Sequence, residues 1–174
     1  DKSLDLSDIT TNISLKSFIN NQFSIGDLKI STKEIQIKDL ISLIRKVKGS
    51  PQFFILDSIT KAGLISANIN LTFDLDGEIK KDYQINGTIK KVKFNSINQA
   101  EIENLNLSFD ISKNQLILRK VEAKINDIKL KSSLIKVEEK KNRFFIEGEV
   151  ISDQQNFNIN KLKPILGDLL SAIE

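Results

Sequence analysis

Carboxylates at Asp74, Asp76 and Glu78, set around Gly77, have the spacing that opens a calcium loop. A complete loop needs further oxygen ligands and a distal Glu held between two helices. This run instead ends a long alternating segment, so it reads as a hairpin turn. Glu101, Glu103 and Glu122 could be imagined as acid–base pairs, but nothing nearby in sequence supplies the apolar pocket that raises a carboxyl pKa. A solvated outer face accounts for them. The chain contains no His and no Cys. That removes the usual zinc and copper ligand sets and the Ser-His and Cys-His nucleophilic pairs. A Ser-Lys or carboxylate pair remains possible in principle. The reading is of a non-enzymatic protein with no catalytic, metal or cofactor site. Without Cys, sulfur gives no indication of redox compartment.

Binding chemistry is equally restricted. Net charge is +3, from 26 basic and 23 acidic residues, with one Tyr beside ten Phe. Nucleic-acid binders concentrate basic charge and add aromatics for stacking, so no nucleic-acid partner is expected. Arg45, Lys46 and Lys48 could touch anionic head groups, although helix-end charge is the simpler account. Asn12, Asn70, Asn86 and Asn106 each begin a glycosylation-type triplet, as expected by chance in so Asn-rich a chain.

The elements behind these residues are mainly strands. Tyr83, Ile85, Gly87 and Ile89 alternate with polar residues, and Phe144, Ile146, Gly148 and Val150 repeat that frame 61 positions later. Strict alternation marks a half-buried strand, and a repeated hairpin implies a sheet extended by copying. Gly87 and Gly148 interrupt neither run, so both read as points of curvature. From Leu64 the apolar set Ile65, Ala67, Ile69, Leu71, Phe73 and Leu75 faces one way, over a strand about 36 Å long. Leu105, Leu107, Phe109 and Ile111 alternate, as do Leu116 and Leu118, then Val121, Ala123 and Ile125.

Frame changes across Gly26-Asp27 and between Ile89 and Val92 predict bulges or turns, and a one-residue frame change separates Leu118 from Val121. Lys113-Asn114, Asn126-Asp127 and the stretch Glu138 to Asn142 predict turns. Asp39 is the expected N-cap of a helix with Leu40, Leu43, Ile44 and Val47 on one stripe, stopped by Gly49. Phe53 to Leu56 could be strand or helical turn. Leu162, Ile165, Leu166, Leu169, Leu170 and Ile173 predict a second amphipathic helix, with Asn160 and Pro164 at its start. No stretch reaches the roughly 18 apolar residues that span a bilayer. A chain of 174 residues starting at Asp1 fits one domain and is expected to be a piece of a longer protein.

The stretch Leu64 to Phe94, LISANINLTFDLDGEIKKDYQINGTIKKVKF, continued through Ile102 to Ile111 and Leu116 to Leu118, resembles the AsmA-like superfamily of Gram-negative envelope proteins, which includes TamB- and YhdP-type members. Their repeats pair a long strand ending in an acidic-Gly turn, here Asp76-Gly77, with an aromatic-x-apolar-x-Gly-x-apolar return strand, here Tyr83 to Ile89. The resemblance implies a repeating β-groove in the periplasmic part of an inner-membrane-anchored protein. It also implies movement of phospholipid toward the outer membrane in outer-membrane biogenesis.

The expected fold is therefore mainly β, with residues 1–174 as a single β-groove segment. It is an extended, twisted antiparallel sheet carrying two amphipathic helices against its apolar face. Ile69, Leu71, Phe73, Ile85, Ile89, Leu107, Phe109 and Leu118 would line that face and hold acyl chains. Either the face is an open groove, or the helices seal it as a core; in the second case the protein is a structural module that binds a protein partner, an envelope protein in the family's setting, through its sheet edge.

Overall fold

The computed structural model describes residues 6–13, 25–47, 51–74, 80, 82–95, 101–141 and 143–153. The expected C-terminal helix at 162–173 and the Asp76-Gly77 turn lie outside the described residues. Alternation in the sequence becomes long strands: β1 (Leu6–Ile13), β2 (Ile25–Thr32), β3 (Ile35–Gln36), β4 (Thr60–Thr72), β5 (Gln84–Asn95), β6 (Glu101–Ser112), β7 (Gln115–Ile125), β8 (Ile128–Lys140), β9 (Arg143–Gly148) and β10 (Ile151–Ser152). Two helices, α1 (Ile37–Val47) and α2 (Pro51–Ile59), lie between β3 and β4. The strands form one open antiparallel sheet in the order β1-β2-β4-β5-β6-β7-β8-β10, with β3 also on β4 and β9 also on β8.

Directly paired residues of neighbouring strands share a face. The register therefore carries Ile9, Ile30, Ile69, Ile85, Ile111, Leu116, Val137 and Ile146 across eight strands as one apolar row. The adjacent row runs Ala67, Gly87, Phe109, Leu118, Ile135 and Gly148. The ladder passes through Gly87 without a shift. What Gly87 permits is close approach: a Cβ there would lie 2.2 Å from the Ser66 carbonyl oxygen and 2.8 Å from the Phe109 ring.

The register shifts fall elsewhere. One lies at Gly26, as the frame change there predicts. Others surround Lys91, Asn104 and Lys120, all three left-handed, with φ of 52°, 51° and 51°. Asn106 secures two of them, its Oδ1 accepting from the Lys91 N–H at 2.9 Å and its Nδ2 donating to the Asn104 carbonyl at 2.8 Å. On β4 the matching irregularity brings Gly63 to φ +136°.

Turns follow the same local chemistry. Asn126 and Asp127, at φ 45° and 72°, make the two-residue β7–β8 turn that the sequence predicts. The Asn126 side chain also accepts the Glu101 N–H at 2.9 Å, capping the start of β6. Lys113-Asn114 joins β6 to β7, also as expected. The β8–β9 loop is narrower than the sequence suggests, because Glu138, Glu139 and Lys140 pair with Phe145, Phe144 and Arg143.

The helices also differ in detail. Helix α1 starts at Ile37, so Asp39 lies in its first turn and is not its N-cap. There its charge still favours the positive end of the dipole. The start moves because Ile37 and Ile41, 7% and 3% exposed, are drawn over Val92, which is fully buried. Phe53 to Leu56 belong to α2, with Pro51 as the first helical residue. Leu56, Ile65, Ile89, Phe94 and Leu105 complete this cluster, which covers one end of the apolar face. Arg45 of α1 forms an ion pair with Asp57 of α2 and stacks 4.8 Å over the Phe54 ring. Of the basic group at 45–48, it is therefore an inter-helix tie.

Ile41→Ala should cost about 2–5 kcal/mol, the range for a buried Ile truncation. Leu134→Ala, at a 46% exposed strand position, should change stability by less than about 0.5 kcal/mol. Urea unfolding of the two variants checks the contrast. Gly63→Ala should lose about 1–3 kcal/mol by the same measurement, since its φ is left-handed and an added Cβ would meet Val92 at 2.4 Å.

Candidate functional site

A half-buried strand face becomes a site only if neighbouring strands keep the same side apolar. They do so here for seven of the eight residues expected to line it. Ile69 pairs with Ile85, Ile89 with Leu107, and Phe109 with Leu118. Leu71 pairs with Leu28. Phe73 follows in the same alternation, where its N–H donates to the Gly26 carbonyl at 3.0 Å. Phe109 is buried at 7% exposure, and the other seven are half-buried.

The residues are not equivalent. Ile89 packs against the α1–α2 cluster, so it belongs to the covered end. Leu28, Ile30, Ile111, Leu116, Ile135 and Val137 lie on the same face without having been assigned to it. Their alternation was visible; their place beside Ile69 and Ile85 depended on strand order.

The opposite face is polar. Ser66 and Thr88 share a hydrogen bond at 2.9 Å, and Asn68 donates to Asn86 at 3.2 Å. Arg119 pairs with Asp110. Three concavities of about 300–330 Å³ are lined mainly by polar and charged residues; one of them also includes Phe109 with Ala67 and Gly87, and none of the three includes Ile69, Leu71 or Ile85.

The carboxylates weighed for acid–base work are tied up on the polar side. Lys93 bridges Glu101 at 2.9 Å and Glu103 at 2.7 Å, while Lys124 reaches Glu103 at 3.5 Å and Asp127 at 2.8 Å. Hydrogen bonding from Lys93 holds the Glu103 carboxyl below the usual carboxylate range. That is the opposite of the raised pKa a general acid needs. Glu122 lies opposite Lys131 in the ladder. Among the described residues no group of three or more potential ligands could hold a metal ion, and no helix is long and apolar enough to cross a membrane.

A second ionic cluster lies along β8 and is joined to β7 by a hydrogen bond from Gln115. Lys136 and Lys140 each approach Glu138 at 2.5 Å, and Gln115 donates to it at 3.1 Å. The Lys136 hydrogen bond leads in lowering the Glu138 pKa to about 2. A carboxyl lowered on folding stabilises the protein above its unfolded pKa, and that contribution is lost as pH falls through the folded value. Stability should therefore drop between the ordinary carboxylate range and pH of about 2. Thermal melts of Glu138→Gln across that window should be flatter than those of the wild type.

No family model, no curated protein and no solved structure matches this chain.

Proposed function

We propose that this chain is a non-enzymatic lipid-binding module, holding the acyl chains of phospholipid along the apolar face of its sheet and passing them along it between membranes. The observation that carries this reading is the unbroken apolar row from Ile9 to Ile146, flanked by half-buried Leu71 and Leu118. An acyl chain laid against it leaves water at about 0.8 kcal/mol per buried methylene. Head groups stay in solvent beside the sheet. The resemblance of Leu64 to Phe94 to AsmA-like repeats supports the same reading. It would place the chain in the periplasmic part of an inner-membrane-anchored protein that feeds phospholipid to the outer membrane.

The helix-covered end around Val92 favours a second reading. There the face is a structural core, and the protein binds a protein partner through its sheet edge.

Native mass spectrometry of the purified protein decides between them. Phospholipid should co-purify with the wild type and be lost from Leu71→Asp, with the circular dichroism of a β-protein retained. A monodisperse, lipid-free protein that takes up no added phospholipid would reject the groove in favour of the sealed core.

A further inference from the structure

The β8–β9 hairpin combines two features that its place in the sheet does not require. Phe144, Phe145 and Ile146 are 72%, 52% and 66% exposed. They do not share one face: Ile146 pairs with Val137 of the apolar row, Phe144 follows the same alternation, and Phe145 pairs with Glu138 on the polar side. Cations gather at the same turn. Lys140 lies 5.9 Å from the Phe145 ring centroid, and Lys141 and Arg143 have no acidic partner among the described residues. Of the nearby acids, Glu138 is neutralised by Lys136 and Lys140, Glu147 stands opposite Lys136, and Glu139 stands opposite Phe144, where it offsets one of the cations of the turn.

We propose that this hairpin tip docks the protein on an anionic bilayer surface, with Phe144 and Phe145 in the head-group region and Lys141 and Arg143 against phosphates. Exposure on both faces of one strand selects this occupant. A partner sheet would cover one face only, and a partner strand would use the edge's hydrogen bonds without answering the cations Lys141 and Arg143. A bilayer interface surrounds an inserted tip on both sides, and its negative potential complements the basic turn. The β6–β7 and β8–β9 turns lie side by side, with the Glu139 N–H donating to the Asn114 carbonyl at 2.9 Å. The tip is therefore at the end of the sheet away from α1 and α2.

The proposal does not rest on the groove. Co-sedimentation of the whole chain with vesicles tests it, comparing mixed phosphatidylcholine–phosphatidylglycerol with phosphatidylcholine alone. Binding should require the anionic lipid and weaken with salt. Lys141→Gln with Arg143→Gln should lower affinity roughly fivefold per charge removed. Phe144→Ser with Phe145→Ser should lower it comparably while leaving the salt dependence in place. Lys129→Gln, which removes an exposed cation at the β7–β8 end of the sheet, should leave sedimentation unchanged. The proposal is overturned if the folded protein ignores anionic vesicles or if both double variants bind as the wild type does. It also fails if the phenylalanine pair instead drives self-association, which would make the tip an interface between copies.

Discussion

One register constraint underlies the whole sheet. Paired residues share a face, so any change of alternation within one strand must be absorbed by an unpaired residue or matched in the neighbour. The chain changes alternation within β5, β6, β7 and β8. Lys91 and Asn104 absorb the changes in β5 and β6 as left-handed bulges. Lys120 on β7 stands across from Ser133 on β8, and those two strands change alternation together without a register shift. A left-handed conformation costs a non-glycine residue about 1–2 kcal/mol. That cost is offset because Val92, Phe94 and Val121 return to the apolar side, where Val92 is fully buried.

The same constraint divides the apolar face into two regions. Beyond the bulges, α1 and α2 cover Val92, Ile65 and Ile89 and make a packed core. Before them, Ile69, Leu71 and Ile85 remain half-buried along the sheet. Phe109 stands between the regions, its ring against the backbone of Gly87, which has no side chain to displace it. The polar side is held by exposed ion pairs such as Lys93 with Glu101 and Glu103. Exposed pairs of this kind contribute little individually; their effect is to keep that side solvated and the sheet single-sided.

Much of this was legible in the sequence. The alternation located the long strands, its changes located the bulges at Gly26 and Lys91, and a one-residue frame change marked the place of Lys120. Asn126-Asp127 and Lys113-Asn114 stood out as turns because such residues suit tight reversals. The start of α1 was not legible, since the burial of Ile37 against Val92 overrode the capping preference of Asp39. Nor was α2, whose apolar run Phe53 to Leu56 carries no clear period. Gly63 gave no signal, because its left-handed φ answers a bulge on the neighbouring strand.

By itself the sequence determined which residues within each strand share a face, such as Ile69 with Leu71 and Leu107 with Phe109. Alternation is a local property of extended backbone, set by the direction of successive side chains. Only the tertiary structure decided the order of the strands, which end of the face the helices cover, and that Phe144 to Ile146 stand exposed at an edge. Those outcomes depend on pairing between residues far apart in the chain. No local pattern encodes which strand lacks a neighbour or which apolar side chains a helix will reach.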